Sequence, residues 1–207
     1  MSARPRVLVA TRSAGKLREL VPLLAERGWD AVDLAAAGID ERPVEEEALE
    51  SADTFSANAL AKARHFHERS GLPTLADDSG LMVDALGGAP GVHSKRWSNR
   101  PELSGEALDV ANNALLLVAL GGATSRVARY VCAAAWVDDG RALVAQGETA
   151  GRILEAADGA SGFGYDPFFF SEELGASFGR VSREEKARVS HRARAVCALM
   201  KIVGAGS

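Results

Sequence analysis

The sequence predicts an α/β protein, on three observations. Short apolar strands alternate with helical periodicity over the first eighty residues. Two long strand-like runs, Val127 to Val137 and Ala142 to Glu148, are joined by Asp139-Gly140, a strong hairpin dipeptide. The closing segment repeats Val189, Ala193, Val196, Met200 and Val203 on one helical face. At 207 residues, 47% of them hydrophobic and 25% charged, the chain suits one large domain or two small lobes sharing a core.

Its charge narrows the function classes. With 24 basic against 28 acidic side chains, the net charge of −4 argues against a general binder of nucleic acid or anionic membrane. A small anionic ligand needs only a local basic cluster. No apolar run approaches the roughly 18 residues of a membrane span. Met1 to Arg6 leads into the first strand without a signal-peptide pattern. Cys132 and Cys197 lie far apart without a CxxC context, as expected of buried, reduced thiols in a cytoplasmic protein. His65, His67, His93 and His191 show no zinc-ligand spacing with them.

In chain order, Arg6 to Ala10 is a strand, and Thr11-Arg12-Ser13-Ala14-Gly15-Lys16 turns into a helix carrying Leu17, Leu20, Val21 and Leu24 on one stripe. Pro22 should bend that helix or remove one of its bonds. A small-residue turn before a helix offers free backbone N–H groups to an anion, and Lys16 adds a full charge; an ordinary capped helix start is the competing reading. Ala31 to Leu34 is a second strand. Glu45 to Glu47 read as a solvated or first-turn acidic run. In the helix from about Asp53 to Arg69, Lys62 falls on the apolar stripe of Phe55, Ala59 and Phe66. Such a lysine either snorkels to water or needs a buried anionic partner.

The centre of the chain is Leu75-Ala76-Asp77-Asp78-Ser79-Gly80, two adjacent carboxylates between apolar runs. In extended backbone neighbouring side chains face opposite ways, so one aspartate can enter a cleft while the other meets a support or metal. A solvated turn between two strands is the plainer alternative. Gly87 to Gly91 is a loop delivering the basic-aromatic cluster Ser94 to Ser98. Leu103, Ala107, Leu108, Ala111, Leu115 and Val118 mark the apolar face of a helix ending at Gly121-Gly122. In the glycine-rich stretch Asp158 to Pro167, Phe163 and Tyr165 share a face if the backbone is extended; they offer stacking surface or plug the core. Phe168 to Phe170 is a buried strand. Ser182 to Glu185 is a capping box, followed by Lys186 and by Ser190-His191-Arg192.

Six of these segments occur together in one order: Thr11 to Lys16; Thr54-Phe55 with Asn58-Ala59 and Lys62-Ala63; Ala76 to Leu81; Gly87 to Gly91; Gly162 to Pro167; and Glu185-Lys186 with Ser190-His191-Arg192. In them the chain resembles the inosine/xanthosine triphosphate pyrophosphatases of the Ham1/RdgB type. The resemblance implies a mixed α/β fold with an elongated central sheet flanked by helices, a single domain over 1–207 built of two lobes with a cleft between them, and a homodimer. It implies Mg²⁺-dependent hydrolysis of ITP, dITP and XTP to monophosphate and pyrophosphate. By matching position, Asp78 is the expected base and metal ligand, with Glu50 and Asp77 beside it. Thr11, Arg12, Ser13, Ala14, Gly15, Lys16 and Lys62 are expected at the triphosphate and Ser79 on substrate. Phe163 is expected to stack on the base, while Gly164, Tyr165, Asp166, Lys186, His191 and Arg192 complete the nucleoside pocket. Ser13 and Ala57 depart from the family's usual Asn and Glu, and Glu50 sits in Glu-Ser-Ala instead of Glu-x-Gly.

The side chains suit that chemistry. A triphosphate carries about four negative charges, which Lys16, Lys62, Lys186, Arg192 and a carboxylate-held Mg²⁺ would offset. Selecting a 6-oxo purine requires donors that adenine leaves unpaired; His191, Arg192 and the N–H groups of 163–166 are the candidates. A Maf-like pyrophosphatase and a nucleotide-binding protein without turnover are the alternatives.

Overall fold

The computed structural model describes residues 4–204, so the reading of Met1 to Ala3 lies outside the described residues. Seven strands form one mixed sheet in the order β2-β1-β3-β4-β5-β6-β7. These are β1 (Arg6–Val9), β2 (Asp30–Asp33), β3 (Thr74–Val83), β4 (Val127–Asp138), β5 (Arg141–Ile153), β6 (Phe169–Ser171) and β7 (Ala176–Ser177). β1 is parallel to both β2 and β3, whereas β6 is antiparallel to β5 and β7. The helices are α1 (Ala14–Ala25), α2 (Pro43–Ala48), α3 (Phe55–Ser70), α4 (Gly105–Ala119), α5 (Arg183–Val189) and α6 (His191–Gly204). Among the described residues no helix is long and apolar enough to cross a membrane.

The chain separates into two compact units. The first takes the described residues up to Asp78, Cys132–Gly147 and those from Arg192 onward; the second takes Ser79–Val131 and Glu148–His191. Each has its own core. In the first, Val7, Val9 and Leu75 pack with Leu20 and Leu24 of α1 and with Val196, Leu199 and Met200 of α6. Trp136 is fully buried there and meets Trp29 edge-on, at 5.0 Å between ring centroids. In the second, Leu81, Val83, Leu116, Tyr130, Phe169 and Phe178 cluster together. Each such side chain contributes about 1.5–3 kcal/mol on burial.

One alternative falls away here, one expectation holds, and one is corrected. Asp77-Asp78-Ser79-Gly80 is no turn, for β3 runs unbroken through it with both aspartates buried. Pro22 sits inside α1, where its missing N–H removes one helix bond, as expected. On α4 the buried residues are Asn112, Asn113 and Leu116, while Val110 and Val118 are 63% and 76% exposed. The two amides find backbone acceptors, namely Lys95 O for Asn112 and Gly164 O for Asn113. Hydrogen-bond partners, more than hydropathy, chose the face that α4 turns inward.

Candidate active site

In the first unit, β3 and α3 build a charged cluster around Asp78. Thr54 caps α3 by accepting the Ala57 N–H at 3.2 Å, and Gly71 ends it in the left-handed region at φ 65°. Asn58 and Lys62, four residues apart, project from the same face. The Asn58 amide donates to one Asp78 oxygen and the Lys62 ammonium to the other, both at 3.1 Å. Lys62 also meets Glu50 at 3.0 Å. Asn58 fixes the segment that brings Glu50 there, accepting the Ala52 N–H at 2.9 Å and donating to Ala52 O at 3.2 Å. Lys62 is only 7% exposed. Burial works against its charge, but Asp78 and Glu50 outweigh it and its pKa lies above the ordinary value. Of the two readings of Lys62, the buried partner is therefore the one found.

Asp77 leaves β3 on the other face. Its carboxylate binds Lys16 and the Arg192 guanidinium, each at 3.0 Å, and Arg192 also pairs with Glu19. Burial pushes the Asp77 carboxyl up, yet Lys16, Arg192 and Lys62 pull it well below the ordinary range. Arg192 is raised in turn by Glu19 and Asp77, against its own desolvation.

The structure thus does not bring the expected metal trio together. Asp77 faces away from Asp78 because adjacent strand residues alternate, and among the described residues no group of three or more metal-ligating side chains is assembled. Glu50 and Asp78 do converge on one ammonium. These hard oxygen donors, two carboxylates against one cation, fit magnesium, which takes one or two carboxylates and completes its shell with water and phosphate.

At the start of α1, Ser13 is the N-cap and accepts the Lys16 N–H at 3.3 Å, while Thr11 Oγ1 accepts the Ser13 N–H at 3.2 Å. Ala14 and Gly15 open the first turn. Arg12 turns to α2, where Glu46 takes its guanidinium at 2.8 and 3.1 Å. That hydrogen bond lowers the Glu46 pKa, so Glu46 is a structural partner and not only a solvated charge.

In the second unit, the glycine-rich loop folds back on itself. Gly162 and Gly164 take φ of 83° and 63°, a region costly for side-chain-bearing residues. A Cβ at Gly162 would strike the Asp166 carboxylate. The loop is therefore not extended, and its aromatics part. Tyr165 is buried and donates to Ser94 O at 2.8 Å, whereas Phe163 stays half-buried with Lys186 Nζ 5.1 Å from its ring centroid. Asp166 binds Lys186 at 2.6 Å and the Phe163 N–H at 2.9 Å. His191 stacks on Tyr130 at 4.5 Å between ring centroids, and Ser79 is half-buried in β3. The N–H groups of Phe163, Gly164 and Asp166, expected to face a base, are engaged within this unit by Asp166, Asp109 and Phe163 O.

Sequence reasoning missed Asn58, Glu19, Asp109 and Asn113. The available signal for Asn58 was its place four residues before Lys62 on the same stripe; Glu19 and Asp109 give none, their partners being remote in sequence.

Comparison with known proteins gives a consistent picture. The Ham1 family model matches residues 7–202. A dITP/XTP pyrophosphatase of Bordetella parapertussis is 46% identical over 198 residues, covering 94% of this chain and 89% of the relative. One from Burkholderia pseudomallei is 45% identical over 206 residues, covering 98% and 95%. A solved HAM1 protein from Coxiella burnetii superposes with a TM-score of 0.81 at 30% identity, over 97% of this chain and 98% of that one.

Proposed function

The chain belongs to the Ham1 family, and on that premise we propose that it hydrolyses non-standard purine nucleoside triphosphates, ITP, dITP and XTP, to monophosphate and pyrophosphate. The carrying observation is the Asp78 cluster, where one carboxylate is held at both oxygens by Lys62 and Asn58. A carboxylate has about four lone-pair sites, so Asp78 keeps capacity to accept a proton. It takes that proton from a water attacking the α-phosphorus; the new P–O bond forms as the bond to the bridging oxygen breaks, and pyrophosphate leaves. Magnesium held by Glu50 and Asp78 would offset phosphate charge.

Lys16, Lys62 and the turn from Thr11 to Gly15 serve the phosphates, and Ser79 touches substrate. Arg12 supports this turn through Glu46. Asp77 and Arg192 act by fixing Lys16. In the second unit Phe163 stacks on the base and His191 reads it, while Gly164, Tyr165, Asp166 and Lys186 shape the loop. The chain is proposed to work as a single domain, in the cytoplasm, and as a homodimer.

The test is a panel of ITP, XTP, dITP, ATP and GTP with Mg²⁺ and purified protein, scored for pyrophosphate against orthophosphate. Pyrophosphate from the first three is expected. Equal efficiency on ATP and ITP, orthophosphate release, or binding without turnover would each overturn the reading.

A further inference from the structure

Helix α4 carries two polar side chains that the proposed chemistry does not use, and both end on the backbone of one residue, Gly164. Asp109 Oδ2 accepts the Gly164 N–H at 2.8 Å, and the Asn113 amide donates to Gly164 O at 2.9 Å. The same amide donates to Asp109 O at 2.9 Å. Both neighbours of that nitrogen are carbonyl oxygens, so the amide orientation is fixed, since a flip would set oxygen against oxygen. One turn of helix thus holds the donor and the acceptor of Gly164 together.

That residue needs holding. Gly164 lies in the left-handed region between Phe163 and Tyr165, and Phe163 is the half-buried ring beside Lys186. From the opposite direction Asp166 accepts the Phe163 N–H. The Phe163 backbone is therefore fixed on both sides, by α4 through Gly164 and by Asp166 directly. Asn113 is buried and Asp109 half-buried on a helix whose valines face water, which is the accompanying sign. Burial, with Asp166 and Glu106 nearby, raises the Asp109 pKa even against the Gly164 N–H, a cost that the contact to the loop explains.

We infer that Asp109 and Asn113 are positioning residues that clamp the two peptide units flanking the Gly164 Cα and so set the angle of the Phe163 ring toward a purine base. This rests on the reading of Phe163 as the base platform. The clamp acts on recognition of the base and leaves the Asp78 chemistry alone.

The test compares Asp109→Ala, Asp109→Asn, Asn113→Ala and Phe163→Ala in steady-state ITP hydrolysis, with inhibition by inosine monophosphate and by pyrophosphate as paired probes. For Asp109→Ala and Asn113→Ala, KM for ITP should rise about tenfold with kcat within about threefold. Inhibition by inosine monophosphate should weaken in step, while inhibition by pyrophosphate, which has no base, should not change. Asp109→Asn keeps an acceptor for the Gly164 N–H and should recover most of the loss. An unchanged KM in Asp109→Ala, equal weakening of both inhibitors, or an asparagine no better than alanine would overturn the clamp. Should Asn113→Ala fail to melt cooperatively, the Asp109 pair decides the question alone. Phe163→Ala separates the two readings: unchanged KM there removes the platform itself, whereas a raised KM with a normal Asp109→Ala removes only the clamp.

Discussion

Two buried lysine–aspartate pairs, one in each unit, are put to opposite uses. Lys62 binds Asp78 at 3.1 Å and Lys186 binds Asp166 at 2.6 Å. Around Lys62 a second carboxylate, Glu50, crowds the same ammonium, so negative charge is in excess and suits a cation. Around Lys186 the charges cancel, and the Asp166 oxygen that takes the ammonium also accepts a backbone donor, the Phe163 N–H. The same two side-chain types hold chemistry in one place and a loop in the other. What surrounds the pair decides which.

The largest expected effect tests the excess side. Asp78→Asn should lower pyrophosphate release by about 10²–10⁴-fold, the range of general-base catalysis, while far-UV circular dichroism shows the fold retained, Glu50 still facing the Lys62 ammonium. Near-normal turnover would remove Asp78 from the role.

Next come the two lysines, compared with each other. Removing one partner of a buried ion pair costs about 3–5 kcal/mol, so Lys62→Met and Lys186→Met should both lower stability in urea denaturation. Their kinetics should diverge: Lys62→Met loses kcat because Asp78 is no longer held, and Lys186→Met raises KM because Phe163 is. Identical kinetic profiles would erase the distinction drawn here.

The smallest effect comes from a surface pair. Arg141 binds Asp138 at 2.8 Å with side chains 33% and 18% exposed. The Arg141 hydrogen bond leads in holding the Asp138 carboxyl down to about 2, helped by the Trp136 and Gly140 N–H groups and opposed by slight burial. A depressed folded value stabilises above the ordinary carboxylate range near 3.8 and is lost as pH falls toward 2. In acid titration of the melting temperature, Asp138→Asn should lose that part of the pH dependence, worth well under about 1 kcal/mol.

Much of the first unit was legible in sequence because its site sits on regular elements. Helical spacing put Lys62 on the inward stripe of α3, and strand alternation sent Asp77 and Asp78 to opposite faces. Far less of the second unit could be read. Extended backbone would have paired Phe163 with Tyr165, but Gly162 and Gly164 turn the chain and separate them. Helix α4 was predicted to turn Leu103, Ala107, Leu108, Ala111, Leu115 and Val118 inward, and its buried residues are Asn112, Asn113 and Leu116.

By itself the sequence determined most of the longer strands and helices, the capping box of α5, the inward placement of Lys62 and the membership in a family of nucleotide hydrolases. Those properties follow from local periodicity and residue chemistry, which act over a few neighbouring positions. Only the tertiary structure decided that Asp77 serves Lys16 and Arg192, and that an aspartate and an asparagine of α4 grip Gly164. These bonds join residues up to 115 positions apart, and a buried polar group takes whichever partner the finished fold sets beside it.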